Sequence, residues 1–392
     1  LPYLSDKSYL AVKVEAVEGT AVKPDVFIPL VSESIESDLK HEADRRFKGR
    51  DWKSDDINRG GRTHKGDLVL FADPDNLGHC LNMCMKKGTT TAGVGFYVHP
   101  FTPEASKTYT IEIGKGLYAQ RYYGVKGNSL KLDFVDSRLQ ATINVSAMGQ
   151  FSVGTLFASL SGSTTSLKLK QDYDLAPYTG LVVGDVLTVG TTTITITGFT
   201  APNQIDFDAT TITASAGARV GLQLQTPSWG TLREPFFLGN TLIGYGATEA
   251  TATTNAGTKA TATPCYTFSI TKLQNVLDTP ASGSIDPVKI LAQTQEGQVS
   301  VSQLFESETQ HQDWTDRIKQ AITMISKGQL IGTGGQENLT WKCHKVKLIT
   351  NKEPLAVGAY IFDNQEFEML YDSADAKAIS VELTNSIAGT VY

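Results

Sequence analysis

Between Tyr122 and Phe151 the chain reads YYGVKGNSLKLDFVDSRLQATINVSAMGQF, with apolar and polar residues alternating in two runs. Leu130, Leu132 and Phe134 alternate with Ser129, Lys131 and Asp133. After a turn at Val135–Arg138, Leu139, Ala141, Ile143 and Val145 alternate with Gln140, Thr142, Asn144 and Ser146. A period of two sends successive side chains to opposite faces of a strand, so the stretch predicts a long β-hairpin with one face on a core. The other face carries small amides and hydroxyls and few charges. That is the chemistry of a wall.

Shorter runs place the neighbouring elements. Strands are predicted at Val26–Val31, Asp67–Ala72, Tyr97–His99 and Tyr109–Ile113, with a helix from Pro74 to Lys87 capped by Asp73 and closed by Gly88. Between the first two strands lies a polar arm, Glu33–Arg62, with eight acids and eight bases and few apolar anchors. A segment of that length and polarity predicts a functional loop, and Phe47 and Trp52 in it predict docking on a neighbouring subunit. The residues expected to make those contacts are Lys40, Asp44, Arg45, Arg46, Phe47, Arg50 and Trp52.

From Ser161 to Thr226 the pattern becomes short β runs punctuated by Gly, Pro and Asn: SLKLKQ, GDVLTVG, TTTITITGF, NQIDFDA, TTITA and RVGLQLQ. These predict a small all-β domain inserted in the main body, so the chain divides into residues 1–160, 161–226 and 227–392. Thr248–Thr263, TEATATTNAGTKATAT, reads as a loop or linker. In the last third, strand Tyr266–Ile270, an irregular segment Leu273–Asp286 and strand Gln298–Leu304 precede a helix over Gln310–Ser326, striped by Trp314, Ile318, Ala321 and Ile325. A hairpin His344–Ile349/Leu355–Phe362 and strands at Phe367–Leu370 and Ile379–Leu383 complete it. Strand, arm, strand, helix and hairpin thus recur in the same order, which predicts two tandem domains.

Composition narrows the function. The 392 residues suffice for two or three cores, and 40% hydrophobic with 19% charged residues fits a folded globular chain. A net charge of −6 argues against a dedicated nucleic-acid binder. No apolar run approaches the ~18 residues of a membrane span. The start LPYLSDKSYL lacks a signal-peptide pattern, and a first residue other than Met predicts a trimmed precursor. Cysteines at 80, 84, 265 and 343 form no disulfide framework, which predicts a reducing compartment.

No motif assembles chemistry. Cys80 and Cys84 share a helix with His79 but lack further zinc ligands, and they read as core residues. Cys343 and His344 are adjacent in a strand and point apart. Gly332–Gly335 (GTGG) is a turn without the Lys-Ser/Thr of a phosphate loop, and His41-Glu42 lacks a second His. The acceptor patterns at Asn144 and Asn338 have no secretory context. Neither a Ser/His/Asp set nor a carboxylate pair emerges, so no enzyme, cofactor or metal is expected.

DVFIPLVSESI, GGRTHKGDLVLF, PDNLGHCLNMC, TYTIEI and YYGVKGNSLKLDF…ATINVSAMG together resemble the major tail tube protein of long-tailed, siphovirus-like bacteriophages, over most of residues 9–155. CYTFSITKLQN and CHKVKLI are similar to the C-terminal repeat of its two-domain members, while residues 161–226 have no counterpart in the minimal fold. The resemblance implies a mainly β chain of tandem tail-tube-type β-sandwich or barrel domains, each with one flanking helix, plus the inserted domain. It implies a structural virion protein, assembled in the host cytoplasm as stacked rings that conduct DNA, with a tape measure protein, tail terminator and distal tail proteins as partners. The lumen-facing residues would be Lys131, Asp133, Gln140, Thr142, Asn144 and Ser146. A sliding DNA duplex calls for a wall without a basic surface, so Lys131 needs Asp133 or another acid to offset it. Tandem halves favour three chains per ring over six. The rival readings are a secreted or surface β-rich adhesin or carbohydrate-binding protein, an enzyme carrying an insertion, and the tube of a contractile tail.

Overall fold

Seven strands frame the first half: β1 (Tyr9–Val14), β2 (Glu36–Ala43), β3 (Ile57–Phe71), β4 (Tyr109–Gly114), β5 (Ala119–Val135), β6 (Arg138–Ala147) and β7 (Gly149–Phe151). Seven more frame the second: β8 (Thr241–Gly246), β9 (Thr267–Leu273), β10 (Glu296–Leu304), β11 (Lys319–Ile331), β12 (Gly335–Lys352), β13 (Phe362–Met369) and β14 (Ile379–Asn385). This computed structural model describes residues 8–43, 57–104, 106–170, 179–200, 203–230, 233–274, 276–279, 286–305, 318–354, 360–389 and 391–392, with the side chains of 40–43 and 57–60 also set aside. The chain is mainly β, with 60% strand and two α-helices among the described residues, as a large antiparallel sheet and a separate curled six-strand sheet.

The hairpin forms as the alternation predicts. Val135 pairs with Arg138 across a turn whose Asp136 and Ser137 take positive φ. Leu130, Leu132, Leu139, Ala141, Ile143 and Val145 are buried. They join one continuous core with Ile270, Val299, Trp341 and Phe367 of the second half.

The two halves pair their strands by the same scheme. In the first, β2-β3-β6-β5 forms one ladder and β1-β4-β5-β7 another. In the second, the ladders are β9-β10-β13-β12 and β8-β11-β12-β14. The long strands β5 and β12 each serve both ladders, and each is interrupted at two bulges, which bend a strand locally. In β5 these fall between Tyr122 and Val125 against β4, and between Gly127 and Ser129 against β6. In β12 they fall between Cys343 and Val346 against β11, and between Leu348 and Thr350 against β13. The offset is a constant 221 residues (343 − 122 and 350 − 129). Finally β5 pairs with β9, so the first ladders of both halves fuse into one run, β2-β3-β6-β5-β9-β10-β13-β12.

Several expectations are corrected. Lys319–Ile331 is strand β11, where a helix was expected to run to Ser326. Residues 321–326, AITMIS, are buried without interruption, as in a strand covered on both faces, and such a run mimics helical spacing. Trp314 lies outside the described residues. Thr248–Thr263, expected to be a loop, contains helix α2 (Glu249–Ala256), with Thr248 accepting the Thr251 N–H at 3.3 Å. Its small residues have a packing cause: a Cβ on Gly244 of β8 would sit 2.2 Å from the Ala252 carbonyl oxygen, so helix and strand touch backbone to backbone. Helix α1 covers only Leu77–Cys84, while Lys86–Lys87 pairs as a short strand with Phe101–Thr102. Asp73 does receive the Asn76 N–H, at 2.8 Å. The strand returning from β12 is Phe362–Met369, and Leu355–Ala359 lies outside the described residues. Val276–Thr279, within the segment expected to be irregular, pairs with Lys289–Ala292 just beyond it as a short hairpin. Among the described residues the helices do not correspond between halves, α1 following β3 and α2 following β8.

The six-strand sheet runs from Val153 to Leu222, starting ahead of Ser161, and NQIDFDA and TTITA form one strand, Gln204–Ala214. Its own core contains Leu187, Ile194, Ile205, Phe207 and Val220. One ion cluster fastens it to the body. The fully buried Arg121 of β5 donates to Glu112 (Nη2–Oε2 2.7 Å) and to Asp185 of the insert (Nη2–Oδ1 2.9 Å), and Tyr9 donates to Glu112 at 2.7 Å.

At the fusion of the halves sits Lys272 of β9, which is 1% exposed. Its Nζ donates to the Cys84 carbonyl, and burial pushes its pKa down to about 8. A base lowered from 10.5 to about 8 destabilises the fold fully below pH 8, and the penalty fades as pH rises from 8 to 10.5. Lys272→Met is expected to raise stability at pH 7 by up to about 3 kcal/mol, a gain that denaturant titrations should see vanish above about pH 10.5.

Candidate assembly surface

The fused run of eight strands has one face on the core and one face open. Across the open face, paired positions line up in rows. Phe71, Gln140, Asp133, Ser269, Ser300, Glu366 and Thr350 form one such row. Val69, Thr142, Lys131, Thr271, Gln298 and Glu368 form another. In these rows, the second of which continues through Glu368 to Lys347 of β12, three acids accompany two bases: Lys131, whose Nζ lies 2.8 Å from Asp133 Oδ2, and Lys347, opposite Glu368. The expected neutralisation of Lys131 by Asp133 is present. Asn144 donates to Asp67 Oδ1 at 2.7 Å and accepts from Asn128 at 3.1 Å, tying β3, β6 and β5 together along the same face.

Of the residues expected on this wall, Lys131, Asp133, Gln140, Thr142 and Asn144 lie on the open face with at least part of their surface accessible. Ser146 is a correction, being 1% exposed. It stands opposite Lys126 and Lys65, and the hairpin Val276–Ala292 covers that end of the sheet. Asp278 of the hairpin pairs with Lys65 at 2.7 Å, and its Ile290 carbonyl accepts from Lys126 at 2.9 Å. Asp286 closes the same contact by accepting both ends of the Arg62 guanidinium at 2.5 Å, with His64 Nε2 3.1 Å away. These partners hold the Asp286 carboxyl below the usual range against the opposing effect of burial.

The expected arm is built as the β2–β3 hairpin, entered through the buried Ile35. Lys40 lies in β2 with its side chain outside the described residues. Asp44, Arg45, Arg46, Phe47, Arg50 and Trp52 lie outside the described residues altogether.

One polar cluster was not legible in the sequence. His344 Nδ1 is 2.7 Å from Asp375 Oδ2, and its Nε2 is 2.9 Å from Ser380 Oγ. The order is that of a hydrolase triad, from residues 31 and 36 positions away, a separation no motif reports. A triad also needs N–H donors aimed at a developing oxyanion. Here the His344 N–H donates to Ala378 O at 2.9 Å and Ser380 pairs with Lys342 inside the sheet, so the local backbone is engaged in the ladder. The trio clasps β12 to the turn before β14.

Cys80, Cys84 and Cys343 are buried, and burial pushes the Cys84 and Cys343 thiols up to about 12, which suits core residues. Gly332 and Gly334 take positive φ in the turn joining β11 to β12. Among the described residues no group of three or more His, Cys, Asp or Glu is placed to hold a metal, and no helix is long and apolar enough to cross a membrane. No protein-family model and no curated protein matches the chain.

Proposed function

We propose that this chain is a structural virion protein whose copies join into rings, and that stacked rings form the tail tube of a long-tailed bacteriophage, the conduit for DNA into the host. The observation that carries the reading is the β5–β9 junction, where two similarly paired halves continue one sheet edge to edge. A unit that adds to its own counterpart in this way extends until it closes, and closure removes the exposed edges that make long strands aggregate. Each half contributes four strands to the run, so three chains supply roughly 24 strands, which at ~4.8 Å spacing and ~40° tilt close at a diameter of roughly 48 Å.

The open face supports the same reading. Amides, hydroxyls and acids, with Lys131 neutralised by Asp133 and Lys347 standing opposite Glu368, form a wall that offers phosphates few counterion-releasing contacts. The insert, docked through Arg121 on a different ladder, belongs on the outside of such a ring. The natural partners are further copies of the chain, a tape measure protein within the bore, and tail terminator and distal tail proteins at the tube ends, in a virion assembled in the host cytoplasm.

Sedimentation with light scattering tests the proposal. Purified protein is expected to convert from a subunit of about 42.4 kDa to rings and polymers as concentration rises. A monomer at every concentration, in the presence of tape measure protein as well, contradicts it.

A further inference from the structure

Resting on the ring reading, and deepening it, we infer that the edge of β12 at Thr350–Lys352 pairs with β2 of the next copy in a defined register, Thr350 opposite Asp38, Asn351 opposite Ser37 and Lys352 opposite Glu36. The register follows from the internal junction. There Ser129, Leu130 and Lys131 of β5 stand opposite Leu273, Lys272 and Thr271 of β9. The constant offset makes Thr350, Asn351 and Lys352 the counterparts of the three β5 residues.

The other strand is placed through the ladder. Val145 pairs with Gly66 as its counterpart Phe367 pairs with Val299, which aligns β3 with β10. Lys65 pairs with Glu36 as Gln298 pairs with Thr271, which makes Glu36, Ser37 and Asp38 the counterparts of Thr271, Lys272 and Leu273.

The β12 edge is prepared for a partner. On the side where β5 receives β9, β12 pairs with β11 only as far as Lys347; among the described residues no strand pairs there with Thr350–Lys352. Asn351 Oδ1 is buried without a hydrogen-bond partner, and the register sets Asn351 opposite Ser37, whose hydroxyl donates to Gln150 Oε1 and lies 2.7 Å from His64 Nδ1 within its own chain. Lys352 and Glu36, both exposed, are of opposite charge and fall on the open face, where Lys131 stands in the first half.

Cysteine pairing tests the register on the full chain in assembled tubes. Lys352→Cys with Glu36→Cys should oxidise to a covalent ladder on non-reducing gels, because directly opposed Cα atoms lie at about 4.5–5.5 Å. Lys352→Cys with Ser37→Cys should not, since neighbouring positions face opposite ways. Tubes with no ladder, or with the offset pair linking instead, overturn the register and leave the tube reading intact. A chain that never assembles overturns both. If the cysteine pairs impair folding, Lys352→Glu should weaken assembly and Lys352→Glu with Glu36→Lys restore it; no rescue overturns the pairing.

Discussion

Arg121→Ala is expected to destabilise the docking of the insert by about 3–5 kcal/mol, the range for removing one member of a buried ion cluster. Glu112 and Asp185 are 0–1% exposed at the side chain and would be left facing each other without their cation. Solvent-exposed pairs such as Lys86–Glu104 have no such leverage, so Lys86→Ala should change stability by less than about 1 kcal/mol. Limited proteolysis provides the measurement. Arg121→Ala should release a fragment near residues 153–222 at a protease concentration that leaves the parent chain whole. An unchanged digestion pattern would show that apolar contacts alone hold the insert.

The second large effect concerns cooperativity. Both halves of the body share one core, whereas the insert forms a second core that takes in Ala119 and Phe151 of the body strands. Calorimetry should therefore show two transitions, not three. Trp341→Ala, at a fully buried site in β12, is expected to cost about 3–5 kcal/mol and to lower the body transition as a unit, including the first half to which Trp341 does not belong. Leu187→Ala should cost about 2–5 kcal/mol and lower only the insert transition. Separate melting of the first and second halves in Trp341→Ala would contradict a shared core.

The hairpin β5–β6 was legible because one of its faces is buried and the other open, so alternation is imposed residue by residue. Strand β11 was not, because AITMIS is covered on both sides and its apolar run carries no period. Helix α2 was hidden for a different reason. Its Ala and Thr residues are small so that it can lie against Gly244 and Gly246, and smallness reads as low complexity. Element order hinted at two similar halves, but the described part of the helix used to support it, from Lys319 to Ser326, is strand. The stronger sign is the paired bulges, and no residue pattern announces them: Tyr122 corresponds to Cys343 and Gly127 to Leu348. A bulge is a property of backbone register, which chemically unlike side chains can share.

For the wall, the sequence identified the accessible face of β5 and β6 but counted the buried Ser146 on it, because the covering hairpin arrives from more than a hundred residues away. The contributions of β9, β10, β12 and β13 to that face were not legible, since they depend on the β5–β9 junction. Asp286 and its partners Arg62 and His64 are likewise 224 and 222 residues apart in the chain and meet only through it.

Rotationally averaged end-on electron micrographs of the polymer test the central claim most directly. Hollow rings with three outer protrusions, one per insert, around a polar bore lined by the eight-strand runs of three chains are the predicted result. Solid or sheet-like aggregates, or rings with the insert inside the bore, would contradict it.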